Sequence, residues 1–153
     1  MQQNKSQKGF SLIELLIVVA IIGIIAPIAI PNLLASRKAA NESSAIGSMR
    51  TINTAQTTYL STVGNNTTYA ATLAALGPGA NGANLIDGAL ANAVAATPKS
   101  GYSFAVAQAN GANRYEVTGT PAATGGTRHF FSDETGVIRA NTAAATAASN
   151  PIQ

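Results

Sequence analysis

The chain has no cysteine, a single histidine and little charge: of 153 residues, 10% are Asp, Glu, Lys or Arg and 5% are aromatic. Without cysteine there is no disulfide, no thiolate metal site, no cysteine nucleophile and no lipid-modified cysteine anchor. His129 lies beside Phe130 and Phe131 in a strand-like stretch, with no second His or Cys near it. It lacks the partners that a catalytic dyad or a zinc site requires, so a packing role is expected. No glycine-rich phosphate loop is present, and the scattered glycines read as turns. Sparse aromatics argue for packing rather than charge conduction. With no clustered catalytic groups, neither an enzyme nor a cofactor is expected.

What the chain does have is one long apolar run. From Phe10 to Ile30 the residues are apolar except Ser11 and Glu14, and about 20 such residues in a helix cross a bilayer core. A carboxylate in that setting costs roughly 3 kcal/mol at mid-bilayer and calls for a partner. That partner should be cationic, yet no Lys or Arg lies between Phe10 and Pro31. Cleavage after Gly9 would create one, the free amine of Phe10.

Lys5, Lys8, Gly9, the aromatic Phe10 and Glu14, at fixed offsets before the apolar run, resemble a type IV prepilin with a class III leader, in the superfamily that also holds the type II secretion pseudopilins. The resemblance covers about the first third of the chain. It implies that a prepilin peptidase cuts between Gly9 and Phe10 and N-methylates Phe10, and that Glu14 pairs with a neighbour's terminal amine during assembly. It further implies a subunit held as a single pass in the inner membrane. An assembly platform there then builds it into a helical homopolymer, an extracellular pilus serving adhesion, motility or DNA uptake. A type II secretion pseudopilin is the alternative within the superfamily. Outside it stand an anchored periplasmic domain that never polymerises and an ordinary secretory signal with Leu15 to Ile30 as its apolar region. Many pilins close a C-terminal loop with a disulfide; here packing, backbone pairing or neighbours must fix that region.

The formal charge is +3, but two of the nine cations, Lys5 and Lys8, lie in the leader. The cut chain is nearly neutral, so nucleic acid is not indicated as a partner, although some pili carry DNA. Lys5 and Lys8 before the run balance Arg37 and Lys38 after it, and only the resemblance places the leader in the cytoplasm.

The expected fold class is α+β: a long N-terminal helix packed on a small antiparallel sheet, divided into a leader (1–9), an apolar transmembrane and assembly helix (10–31), an amphipathic helix (32–63), a globular head (64–140) and a flexible tail (141–153). Gly23, Pro27 and Pro31 should kink or loosen the apolar helix, since each proline removes a donor and clashes one turn back. In assembled pili of the resembled family that zone loses helical order. Ala45, Met49, Ile52, Gln56, Tyr59 and Val63 recur at alternating spacings of four and three, an apolar seam that should lie on the head. Arg37, Lys38, Glu42 and Arg50 fall mostly off that stripe. An unbroken helix from Phe10 to Val63 would extend about 80 Å.

Gly64-Asn65-Asn66 should end this helix. Short helices are expected over Thr68–Leu76 and within Leu85–Ala95. Gly101–Val106 and Arg114–Thr118 alternate as strands around the turn Asn110-Gly111-Ala112-Asn113, predicting a hairpin. Thr127–Ser132 and Gly136–Arg139 are the third and fourth strand candidates. Asp133 and Glu134, adjacent in a turn, are a weak metal pair: a calcium cage of 6 to 8 oxygens needs more than this motif offers. Asn141–Gln153, rich in Ala, Thr, Ser and Asn, lacks the apolar bulk to order itself.

Overall fold

The computed structural model describes residues 9–109 and 111–152; the leader up to Lys8, Asn110 of the expected turn and Gln153 lie outside them. The fold is α+β, with a long N-terminal helix and a five-stranded antiparallel sheet. The chain divides into two compact units between Ser36 and Arg37.

Helix α1 is assigned from Leu12 to Thr62 and includes both Pro27 and Pro31. In the first unit its large apolar side chains are exposed, and the stretch is long and apolar enough to cross a membrane. In the second unit Ala45, Met49, Ile52 and Gln56 of the expected stripe are buried, Tyr59 is half-buried, and Val63 is exposed. The helix stops where expected. Gly64 N–H turns back to the Tyr59 carbonyl (2.8 Å) and Asn66 N–H to the Leu60 carbonyl (2.8 Å), while Asn65 and Asn66 take the left-handed conformation that asparagine tolerates.

Two short helices follow, each smaller than the sequence predicts. Helix α2, Leu73–Leu76, begins only after Thr72, whose hydroxyl accepts from Ala75 N–H. The preceding residues are engaged elsewhere: Tyr69 N–H goes to the Ala112 carbonyl, and both backbone groups of Ala70 go to the Gln56 side chain. Helix α3, Gly88–Ala91, is capped by Asp87, which accepts from Leu90 N–H at 2.6 Å. Leu85 and Ile86 are drawn out of it because their N–H groups bond the Leu76 carbonyl.

The sheet runs β1 (Tyr102–Ala109), β2 (Arg114–Pro121), β3 (His129–Asp133), β4 (Arg139–Asn141) and β5 (Asn150–Pro151), in that spatial order. The hairpin pairs Val106 with Val117, and the turn between its strands holds Gly111 and Ala112 at positive φ. Tyr102, Phe104 and Val106 on β1, Tyr115 and Val117 on β2, and Phe130 on β3 alternate inward. They join Met49, Ile52, Leu76 and Leu90 in one core.

Three boundaries differ from expectation. Strand β3 starts two residues late because Thr127 and Arg128 bond a helix carboxylate instead. The fourth strand starts at Arg139 rather than Gly136: Gly136, at φ +72, closes a turn by donating to the Asp133 carbonyl. The tail is not loose among its described residues. It folds back so that β5 pairs with β4, Ile152 N–H donates to the Ile138 carbonyl, and Ala145 and Ser149 are buried. Backbone pairing, supplemented by Arg139 Nη1 donating to the Ser149 carbonyl, supplies the order that apolar bulk does not.

Candidate processing and assembly site

The residues singled out from the sequence fall in two places. Gly9, Phe10 and Ser11 precede the helix in extended or irregular backbone, and the Phe10 ring is 93% exposed. A peptide bond in an exposed, non-helical segment is open to a protease, because its backbone need not first be unwound. Glu14 sits in the first turn of α1, where Oε2 accepts the Ser11 N–H at 2.9 Å. This is one half of a capping box, with Ser11 in the cap position and Glu14 three residues on. The arrangement adds a neutral backbone partner to the expectation that the helix supplies Glu14 with no cationic one. One carboxylate oxygen is occupied by the helix's own N-terminus, whose partial positive charge also favours the acid. The Ser-x-x-Glu spacing was the readable signal for it.

Gly23, Pro27 and Pro31 lie within α1, on which the Leu12–Leu34 apolar side chains form an exposed, hydrocarbon-compatible surface. Pro27 and Pro31 carry no N–H, so the carbonyls one turn back, of Gly23 and Pro27, lack their usual helical donors.

The second place is the head. Asp133 ends β3 and accepts the N–H of Thr135 at 3.0 Å together with its hydroxyl. Glu134 pairs with Arg114. The two acids are committed to different partners, and among the described residues no three His, Cys, Asp or Glu side chains converge on a metal position. His129 is half-buried in β3, opposite Asn141.

Sequence reasoning missed the polar ties between α1 and the sheet. Glu42, placed off the apolar stripe by periodicity, is in fact 8% exposed. Its Oε1 accepts the Thr127 N–H (2.9 Å), the Thr127 hydroxyl (2.9 Å) and the Arg128 N–H (3.3 Å), and Oε2 accepts Arg128 Nε (2.8 Å). Burial alone would raise this carboxyl's pKa, but these hydrogen bonds and the Arg128 charge outweigh it and hold the group below the usual carboxylate range. Along the same helix, Asn41 donates to the Gly125 carbonyl (2.8 Å), Asn53 donates to Ser132 Oγ (2.8 Å) and Gln56 clasps Ala70 through both amide atoms. Burial pushes Tyr102 up to about 12 and Tyr115 up as well. These groups fasten the helix to the sheet and to the loops beside it.

Comparison with known proteins points to the same end of the chain. The family model of the prokaryotic N-terminal methylation motif matches residues 4–26. The type IV wide pilus major component PilA4 of Thermus thermophilus is 66% identical over 38 residues, 25% of this chain and 29% of that protein. The type IV major pilin protein PilA of Myxococcus xanthus is 47% identical over 58 residues, 38% of this chain and 26% of that one. A fimbrial protein of Pseudomonas aeruginosa is 79% identical over 28 residues, 18% of each chain. The chain thus spans less than a third of the length of these curated relatives. No solved structure matches. The N-terminus is therefore that of a protein bearing the prokaryotic methylation motif. Over its N-terminal third the chain is similar to type IV pilins, and residues 4–26 fit the methylation motif.

Proposed function

We propose that this chain is the structural subunit of a type IV pilus. The observation that carries the proposal is the exposed apolar helix beginning at Leu12, introduced by an accessible Gly9-Phe10 bond and carrying an acid in its first turn. The peptidase hydrolyses the Gly9–Phe10 bond and methylates the released amine. The inner membrane holds the subunit by residues 10–31 until the assembly platform transfers it to the filament. In the fibre, apolar helices of many copies gather in a water-free bundle. Each buried Leu, Ile or Val is worth roughly 1.5 to 3 kcal/mol against exposure to water. Against lipid the gain is far smaller, because lipid is equally apolar. This near balance suits a polymer drawn out of a membrane.

Glu14 provides register. Its Oε2 holds Ser11 in its own chain, and Oε1 accepts the Phe10 amine of an adjoining copy. Gly23, Pro27 and Pro31 let the helix loosen as copies pack. Residues 32–140 form the displayed surface and the tail closes it, a mechanical role without catalysis. The names of the relatives, major pilins and fimbrial proteins, favour a surface pilus over a secretion pseudopilin. The test is Glu14→Ala in the producing cell: leader cleavage should persist while sheared surface filaments disappear. Normal filaments from that variant would remove Glu14 from the account.

A further inference from the structure

An open fibre needs two different patches on each subunit that fit one another, since identical patches close into a two-fold dimer. The head offers one such pair. Arg37, Lys38 and Arg50 on α1 form no ion pair among the described residues, and Glu42, the acid between them, is committed to Arg128. Arg50 borders a groove on the exposed face of α1, lined further by Thr51, Thr54, Ala55, Thr58 and Leu85. On the outward face of the sheet the balance is reversed. Glu116 and Asp133 stand directly opposite each other on β2 and β3, facing away from the core because their neighbours Tyr115, Val117 and Ser132 face into it. Like charges in directly opposed positions repel. The cation at hand, Arg114, is paired with Glu134 and faces three carboxylates.

We propose that the α1 groove at Arg50 of one subunit receives the Glu116–Asp133 corner of a second copy of this chain. The inference rests on the filament reading above and adds to it the contact between heads. It accounts for the unpaired cations on the helix and for an excess of acid on the sheet, where one arginine serves three carboxylates: each is balanced by the adjoining subunit. It also gives the heads a directional, head-to-tail contact independent of the apolar helices. Charges that fix register across an interface act in this way.

The test is charge exchange in the full-length chain in cells, reading sheared filament yield and, as a control for folding and processing, the amount of cleaved subunit in the membrane. Arg50→Glu and Glu116→Arg should each lower filament yield by at least about tenfold, the scale of a close interfacial charge pair, with the membrane pool unchanged. The double variant should recover most of the yield, because the pair is restored in reverse. Single variants that assemble normally, a double variant with no recovery, or loss of the membrane pool in the singles but not in Arg50→Gln would each overturn the contact. If the unaltered chain makes no filaments, the pilus reading itself fails; if it makes them and the exchange has no effect, only the pairing does.

Discussion

Removing the Glu42 carboxylate is the sharpest test of how the helix is held to the sheet. Glu42→Ala would orphan the Thr127 N–H, the Thr127 hydroxyl and the Arg128 N–H, and release the Arg128 guanidinium. Breaking a fully buried ion pair costs about 3 to 5 kcal/mol. That range overstates this case, because the Arg128 side chain is 41% exposed and keeps access to water. What remains is the loss of hydrogen bonds to half-buried backbone, where an unmet donor costs about 1 to 3 kcal/mol. The expected loss is about 2 kcal/mol, and for a domain of this size about 6–12 °C in Tm. Glu42→Gln keeps one acceptor oxygen and should lose about half as much. The assay is urea unfolding of the detergent-solubilised chain, followed by tyrosine near-ultraviolet circular dichroism. The pH dependence gives a second readout. Because the folded carboxyl titrates below its unfolded value, its contribution is fully present above about pH 4.3 and fades as the pH falls through the folded pKa. Glu42→Gln should lack that component. A Glu42→Ala variant within about 0.5 kcal/mol of the parent, or an unchanged acid limb in Glu42→Gln, would refute the reasoning.

Gln56→Leu leaves both Ala70 backbone groups unpaired in the core and should cost about 2 to 4 kcal/mol by the same unfolding assay. Gly125→Ala would drive its Cβ into the Gly101 carbonyl, so it should destabilise the head by more than about 2 kcal/mol. Gly47→Ala in α1 meets nothing within 4 Å and should stabilise it by about 0.5 to 1 kcal/mol. In an alkaline spectrophotometric titration Tyr102 should ionise near pH 12, and Tyr115 also later than a free tyrosine. Their neutral forms favour the fold, so stability holds below about pH 10 and is lost as the pH climbs through those raised values.

What could be read from the sequence follows from how local each signal is. The apolar helix, the Gly64-Asn65-Asn66 stop and the β1–β2 hairpin declare themselves through periodicity and turn residues, signals that lie within a few positions of one another. Glu42 could not be placed this way. Its partners Thr127 and Arg128 are distant in sequence, and an acid beside an apolar stripe is usually solvated. Gln56 interrupted the stripe by type yet belongs in it, since both its amide atoms find Ala70. The short helices lost residues to the same kind of distant bond, at Tyr69, Ala70, Leu85 and Ile86. The tail's pairing with β4 was hidden because Asn150 and Pro151 carry no strand signal and are recruited by an available edge. At the N-terminus, Glu14 was legible as an acid that must be satisfied, while its bond to Ser11 was overlooked.

Intact mass and N-terminal fragment analysis of the native protein bears most directly on the central claim. The account predicts a mature chain that starts at Phe10 with a methylated amine. A chain recovered from filaments or membrane with Met1 to Gly9 still attached would contradict it.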